Sequence, residues 1–130
     1  MSADEVIAVT ERLLGSVAAG DFNAYAALSD EALTCIEPET QGQIVEGLAF
    51  HRHFFDLGRG AGRPAEPPLK QSIVNRPVVR MLGRDHALIV YVRVMQNNGA
   101  VSTAEETRVW RRDPTTKAWK NIHFHRSSRL

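Results

Sequence analysis

Two arginines in the second half of the chain, Arg93 and Arg108, are the residues that the sequence places best for chemistry. Apolar and polar residues alternate around both, so that Tyr91 shares a face with Arg93 and Trp110 shares a face with Arg108. If the two segments form a hairpin with an even-numbered loop, both guanidinium groups lie on the same side of the sheet. A loop of four residues, Gly99 to Ser102, would place them directly opposite each other.

Two positive charges in this position require a third group. At a separation of ~8 Å and an effective dielectric constant of ~20, their gross repulsion is about 2 kcal/mol. Either the face is open to water and carries surface ion pairs, or an anion lies between the arginines. That anion is an internal carboxylate, Glu106 or Glu37, or a bound carboxylate or phosphate. The aromatic residues Tyr91 and Trp110 on the same face favour an enclosed pocket, because neither is suited to full exposure.

A histidine of the predicted third helix is the next candidate for the pocket. The pattern predicts this helix from Glu46 to Leu57, with Gly58 after it. His51 lies on the apolar face and is therefore expected to point inward. The other members of that face are Leu48, Phe54 and Phe55.

Metal and cofactor sites are not predicted. His123 and His125 lie two residues apart on one face of the last strand, but the sequence places no third ligand beside them. Their expected role is hydrogen bonding across the sheet or inside the pocket. The single cysteine, Cys35, is predicted to be a buried strand residue rather than a nucleophile. The glycine-rich run from Gly58 to Gly62 follows a helix and precedes prolines, so it predicts a loop and not a phosphate-binding turn.

The elements that position these residues are predicted as helices first and strands after. Ser2 and Glu5 form a capping box that opens a helix, which Gly20 ends. Asp21 caps a short second helix. A strand from Leu33 to Ile36 follows.

The second half of the chain has the alternating pattern of an antiparallel sheet. Pro77 lies inside the first of its strands and predicts an edge strand or a bulge. Helices ahead of such a sheet predict an α+β fold, with the sheet curving round the helices as one domain over residues 1–130. The four predicted strands are Leu69 to Met81, Ala87 to Gln96, Ala104 to Arg112, and Trp119 to Arg126.

Composition narrows the possible partners and location. The 130 residues carry a formal net charge of +1, which argues against nucleic acid or an anionic membrane surface as the main partner. No apolar run reaches the ~20 residues of a membrane-spanning helix. One cysteine cannot form an internal disulfide, so a reducing, cytoplasmic setting is expected.

Six short strings occur together and in a fixed order along the chain. They are Gly20 to Phe22, Ile36 to Glu39, Val45 to Arg52, Tyr91 to Arg93, Glu105 to Trp110, and His123 to Ser127. In this order they resemble the association domain of calcium/calmodulin-dependent protein kinase II, and the resemblance covers nearly the whole chain. This domain belongs to the nuclear transport factor 2-like superfamily of cone-shaped α+β folds, in which a curved mixed sheet forms a barrel around the helices.

The resemblance implies a hub domain that associates with itself through sheet-to-sheet dimers and rings. It also implies a deep, arginine-lined pocket for a small carboxylate or other anion. The matching pocket positions are His51, Arg93 and Arg108, with Glu37 and Tyr91 as neighbours. Association domains of these kinases carry an aromatic residue in the loop after the third helix, whereas the glycine-rich stretch here has none, so no lid is predicted. The sequence contains no kinase catalytic-loop motif, and kinase activity is not expected.

Three functions remain open on sequence grounds. The first is a self-associating module, and the second, compatible with it, is a binding protein for a small carboxylate. The third is an enzyme of the ketosteroid isomerase or polyketide cyclase type, with His51, Glu37 or Tyr91 as general base. Paired arginines lower the basicity of a nearby carboxylate, which favours anion capture over proton abstraction.

Overall fold

A computed structural model describes residues 2–59 and 70–127. Two helices come first, a third lies between short and long strands, and four long strands complete the chain. The helices are α1 Ala3–Ala19, α2 Phe22–Ala27 and α3 Ala49–Arg59. The strands are β1 Ser29–Ile36, β2 Val45–Glu46, β3 Lys70–Leu82, β4 His86–Asn97, β5 Ala100–Arg112 and β6 Trp119–Arg126, and a single 3-10 turn, Pro38–Thr40, follows β1.

The first helix begins and ends where the sequence predicts, and the second begins where the sequence predicts. The Ser2 hydroxyl accepts a hydrogen bond from the Glu5 backbone N–H at 3.3 Å, and the Glu5 carboxylate accepts one from the Ser2 N–H at 3.3 Å. Gly20 ends α1 in the left-handed region with φ of 68°. The Asp21 carboxylate then accepts from the Ala24 N–H at 3.1 Å and starts α2.

The strands form one mixed sheet in the order β2-β1-β6-β5-β4-β3. Only the pairing of β1 with β6 is parallel. The predicted α+β class is confirmed, but in the described residues the sheet does not close into a barrel, because β2 and β3 are its two edges. Helix α1 packs on the inner face of the sheet. The buried core there joins Val6, Leu13 and Leu14 of the helix to Leu33, Ile89 and Trp110 of the sheet.

The third helix begins later than predicted. Glu46 does not open it, because Val45 and Glu46 pair with β1 as the edge strand β2. The helix starts at Ala49 and extends to Arg59, past the predicted end at Leu57. His51 is buried as predicted, whereas Phe54 is 41% exposed.

The error at Phe54 follows from helix geometry. Measured around the helix axis, Leu48 and Phe55 lie about 60° and 40° to one side of His51, and Phe54 lies about 60° to the other side. Phe55 is partly buried against the core, and Phe54 instead contacts Phe50, with the two ring centroids 5.0 Å apart. The buried face therefore runs through His51 toward Phe55.

The hairpin between β4 and β5 is tighter than the predicted loop of four residues. Asn98 and Gly99 both have positive φ values, 51° and 86°, and Asn97 pairs directly with Ala100. An Asn-Gly pair with two positive φ values is the preferred two-residue hairpin turn. As a result Arg93 pairs with Ala104 and not with Arg108.

Two other strand boundaries also differ from the prediction. Strand β1 starts at Ser29, four residues before Leu33, and β5 starts at Ala100 rather than Ala104. The prediction of an edge or bulge at Pro77 is confirmed on both counts, since β3 is an edge strand and its register shifts between Asn75 and Val78. Predicted strand residue Leu69 and most of the predicted glycine-rich loop lie outside the described residues.

Within residues 2–59 and 70–127, no helix combines the length and the apolar character needed to cross a bilayer.

Two glycines of the first helix allow a test with opposite expected signs. A Cβ added at Gly15, inside α1, would have no atom within 4 Å, so Gly15→Ala should raise the free energy of unfolding by about 0.5–1 kcal/mol. At Gly20, where φ is +68°, the same change should lower it by about 1 kcal/mol, because the left-handed conformation strains an L-residue. Urea denaturation at one fixed protein concentration measures both changes. Shifts of the same sign would contradict this account of α1.

Candidate functional site

The anion that the two arginines require is an internal carboxylate. Glu106 is buried on the inner face of β5, between the two guanidinium groups. Its Oε2 accepts from Arg93 Nη1 at 3.0 Å, and its Oε1 accepts from Arg108 Nη2 at 3.2 Å. The Tyr91 hydroxyl also donates to Oε1. These four residues, Tyr91, Arg93, Glu106 and Arg108, are called the arginine–glutamate cluster below.

Arg108 is buried and contacts residues of both neighbouring strands. It is only 2% exposed, and its Nε donates to the Tyr91 hydroxyl at 2.8 Å. Its Nη1 donates to Asn121 Oδ1 at 2.8 Å. The guanidinium carbon lies 4.4 Å from the centre of the Phe124 ring, within the range of a cation–π contact. Arg108 is therefore anchored by β4, β5 and β6 together.

The sequence analysis missed Asn121. Its side-chain amide donates to the backbone carbonyls of Val109 and His123 at 2.9 and 2.8 Å, while its Oδ1 receives Arg108. The register between β5 and β6 shifts beside Val109, so that Trp110 pairs with Asn121. This bulge directs Asn121 inward, where it is fully buried. No motif in the sequence marks this role.

The cluster keeps its charges despite its burial. Burial alone would raise the pKa of Glu106, but Arg108 and Arg93 outweigh it and lower that pKa to about 2. Burial likewise opposes the charge on Arg108, and the neighbouring Tyr91 and Glu106 raise its pKa above the ordinary value. Burial raises the pKa of Tyr91, which stays neutral. Two guanidinium groups and one carboxylate leave the cluster with one net positive charge.

His51 lies beside the cluster and joins it through an aromatic ring. Its ring centre lies 5.5 Å from that of Phe124, the same ring that Arg108 covers. Burial, helped by the charge of Arg108, lowers the pKa of His51 to about 4, so the ring is neutral at pH 7. The histidine is 6% exposed, and within the described part of the chain its Nε2 has no hydrogen-bond partner.

Glu37 lies at the edge of this region and does not contact the cluster directly. Burial raises the pKa of its carboxyl, while Arg126 and Arg108 act in the opposite direction. Arg126 Nε lies 3.9 Å from Glu37 Oε2. Of the five predicted site residues, Tyr91, Arg93 and Arg108 are therefore joined through Glu106, His51 is joined to Arg108 through Phe124, and Glu37 interacts through charge.

The two C-terminal histidines lie on the opposite, outer face of the sheet. The His123 Nδ1 and the Thr34 hydroxyl are 2.7 Å apart, a hydrogen bond across β1 and β6. His125 is exposed. No group of three potential metal ligands occurs in residues 2–59 and 70–127. The prediction for Cys35 is confirmed: it is a fully buried strand residue, and burial raises the pKa of its thiol to about 12.

The chain matches one protein family over nearly its full length. The family model of the calcium/calmodulin dependent protein kinase II association domain matches residues 2–129. The calcium/calmodulin-dependent protein kinase type II subunit delta of Oryctolagus cuniculus is 43% identical over 129 residues, which are 95% of this chain and 23% of that protein. The chain thus spans less than a quarter of this relative.

Solved structures agree with the family match. The hub homology domain of this kinase from Chlamydamonas reinhardtii aligns with a TM-score of 0.88 and 38% identity, covering 100% of both chains. A nuclear transport factor 2-like protein of unknown function from Pseudomonas putida KT2440 aligns with a TM-score of 0.76 and 17% identity, over 98% of this chain and 86% of that one. At that identity the second match shows a shared fold alone. The resemblance that the six strings predicted is confirmed.

Replacing the buried carboxylate tests how much the fold depends on it. Glu106→Gln should lower the free energy of unfolding at pH 7 by about 3 kcal/mol, because it leaves two buried guanidinium groups without their anion. Thermal and urea unfolding measure the loss. Glu11→Gln, an exposed carboxylate on α1 with no ion pair in the described residues, is the matched control and should behave as wild type. A Glu106→Gln protein as stable as wild type would contradict the ion pairs.

The pH dependence follows from the lowered pKa of Glu106. The carboxyl has a pKa of about 2 in the folded protein and about 4.3 in the unfolded chain. Its contribution is complete above the unfolded value and is lost as the pH falls toward 2. The stability difference between wild type and Glu106→Gln should therefore shrink by roughly 3 kcal/mol from pH 5 to pH 2. A difference that stayed constant across this range would contradict the assignment.

Proposed function

Because the chain belongs to the family of calcium/calmodulin-dependent protein kinase II association domains, we propose that residues 1–130 form a single self-associating domain with an anion-binding pocket. Self-association supplies the primary role, and the arginine–glutamate cluster supplies the pocket for a small carboxylate. A cytoplasmic location is part of the proposal, since the buried Cys35 needs no oxidising compartment. Kinase catalysis is not part of it.

The uncovered face of the sheet supports self-association. Helix α1 packs against the inner face, whereas the outer face presents β-branched apolar residues to solvent. Val78 and Val90 form a cross-strand pair there and are 50% and 40% exposed. Ile73 pairs with Val94, four residues further along β4 than Val90, and Ile73 is also exposed. An apolar patch of this kind on a folded chain is typical of an interface.

A second copy is the occupant that best fits this face. Association domains are named for assembly, and two identical sheets meeting face to face form a self-complementary contact. Toward the middle of the sheet the same face becomes more polar, where His125 of β6 pairs with Thr107 of β5. An apolar patch bordered by polar residues is common in protein interfaces.

A charge within the apolar patch of the outer face should weaken assembly. Val90→Asp would place two like charges close together in a symmetric contact and is expected to weaken association by more than about tenfold. Analytical ultracentrifugation across a concentration series measures the change. Ile44→Asp, at an exposed apolar residue outside the long strands, is the matched control and should assemble as wild type. A wild-type chain that stays monomeric at micromolar concentration would contradict the self-association proposal itself.

The net positive charge of the cluster is the observation that carries the anion proposal. Glu106 neutralises one of two guanidinium groups, so one buried positive charge has no counter-charge inside the cluster. Arg93 is the accessible arginine, with its side chain 12% exposed. Apart from Glu106 its only hydrogen-bond partner in the described residues is the Ser72 hydroxyl, at 3.3 Å from both Nε and Nη2. A carboxylate can accept from this guanidinium far more strongly than a hydroxyl does.

His51 adds a second point of attachment. Its neutral ring and its unpartnered Nε2 can share a hydrogen bond with the hydroxyl or the protonated end of a bound molecule. Phe124 lies between this ring and Arg108 and supplies an apolar wall. The proposed ligand is therefore a short carboxylate with a second polar group.

Neutralising Arg93 should weaken anion binding while leaving the cluster folded. Arg93→Gln keeps a hydrogen-bonding side chain toward Glu106 but removes the charge, and it should lower the affinity for a short carboxylate by about tenfold or more. Isothermal titration calorimetry with acetate and succinate measures this. Arg80→Gln, an exposed arginine on the outer face of β3, is the control and should bind as wild type. Wild-type protein that binds neither anion at millimolar concentration would refute the pocket.

The enzyme alternative uses the same pocket and needs a general base. Burial raises the pKa of Tyr91, so its hydroxyl stays protonated and is a poor base, and the pKa of about 4 makes His51 a weak one. Glu37, whose pKa burial raises, is the better candidate of the three. The charges of the pocket favour anion capture, so catalysis stays a second prediction.

A further inference from the structure

A groove lined by none of the four cluster residues lies between α1, α2 and the turn that precedes β6. Its volume is about 640 Å³. One wall is the face of α1 that carries Arg12 and Gly15, another is the small-residue face of α2, and the third is Lys117 and Trp119. This volume falls within the roughly 300–1,000 Å³ of small-molecule sites in proteins.

Gly15 lies in the α1 wall of the groove and leaves open space beside it. It lies inside a helix of 17 residues, where glycine is among the least favourable residues. An added Cβ would meet no atom within 4 Å, so no packing contact within the described chain requires a glycine here. A side chain at this position would project into the groove. The glycine therefore preserves space for something that approaches the backbone of α1.

Two cationic side chains without an ion-pair partner in the described residues line the groove. In the described part of the chain no carboxylate lies within ion-pair distance of Arg12 or Lys117, whereas four other arginines do have such partners. Lys117 is held in the left-handed region, with φ of 64°, and its N–H donates to the Asp113 carbonyl at 2.9 Å. The only carboxylate that lines the groove is Asp21, which caps α2.

Apart from Ser16, the remaining lining is apolar and includes a large aromatic side chain. The Trp119 ring is half-buried and lines the groove, and the guanidinium carbon of Arg112 lies 5.9 Å from its centre. The Arg112 Nε is buried and has no hydrogen-bond partner in residues 2–59 and 70–127. The groove thus combines an aromatic surface with an excess of positive charge.

We propose that this groove binds a small amphipathic anion, a molecule with a flat apolar body and one acid group. The apolar body would pack on Trp119 in the open space beside Gly15, and the acid group would pair with Arg12 and Lys117. The volume fits a small molecule. Arg12 and Lys117 exceed Asp21 by one positive charge, which a single anionic group would balance. The site is independent of the arginine–glutamate cluster.

Titration of the full chain with 1-naphthoate tests the proposal. Calorimetry and Trp119 fluorescence measure the binding. The wild type should bind the probe, and Arg12→Gln and Lys117→Gln should each weaken binding roughly tenfold. Gly15→Leu should abolish binding while leaving the fold intact, since the added side chain enters open space. The neutral analogue 1-naphthalenemethanol should bind at least about tenfold more weakly than the acid.

Matched variants separate this groove from other anion sites. Gly15→Ala adds one methyl group and should keep most of the binding, and Arg80→Gln removes a distant exposed charge and should change nothing. Trp119→Phe should remove the fluorescence change although Trp110 is still present. Failure of the wild type to bind 1-naphthoate, unchanged binding in Gly15→Leu, or binding lost only in Arg93→Gln would each overturn the proposal.

Discussion

The ion pairs of Glu106 with Arg93 and Arg108 are the interaction on which the rest of the sheet's inner face depends. Removing charges of this kind from water carries a penalty of several kcal/mol for each ion, which close pairing and additional hydrogen bonds must offset. Tyr91 of β4 donates to Glu106, and Asn121 of β6 accepts from Arg108, so one buried hydrogen-bond network joins three neighbouring strands. Apolar side chains of similar volume often replace buried ion pairs without loss of stability. Their presence here therefore agrees better with a use for the charge than with a purely structural role.

The sequence predicted the inner-face location of the arginines because strand alternation is a local property. Tyr91, Arg93, Glu106 and Arg108 follow a period of two, and this period survives any error in register that keeps the parity of the loop. The hairpin register was predicted wrongly, although the Asn-Gly turn was visible in the sequence. As a consequence, Glu106 rather than Trp110 lies opposite Tyr91, and Ala104 rather than Arg108 lies opposite Arg93.

Asn121 and the third helix show where local patterns fail. Alternation alone places Asn121 on the outer face with His123 and His125, and only the bulge formed against β5 turns it inward. Glu46 follows a helical pattern, yet pairing with Thr34 of β1 overrides it. Both features depend on pairing with another strand, so the alternation or helical period within the segment itself does not contain the information. His51 was predicted well because its burial follows from the helix's own periodicity.

The open sheet leaves β3 as a long edge, which in many proteins would recruit other strands into fibrils. Here the edge is interrupted at its middle. Arg76 adopts a left-handed conformation with φ of 53°, and Pro77 lacks a backbone N–H, so the thirteen residues divide into two short runs that differ in register. A foreign strand would find no continuous row of donors and acceptors to add to. The same irregularity that weakens the ladder with β4 thus protects the molecule against amyloid-like growth.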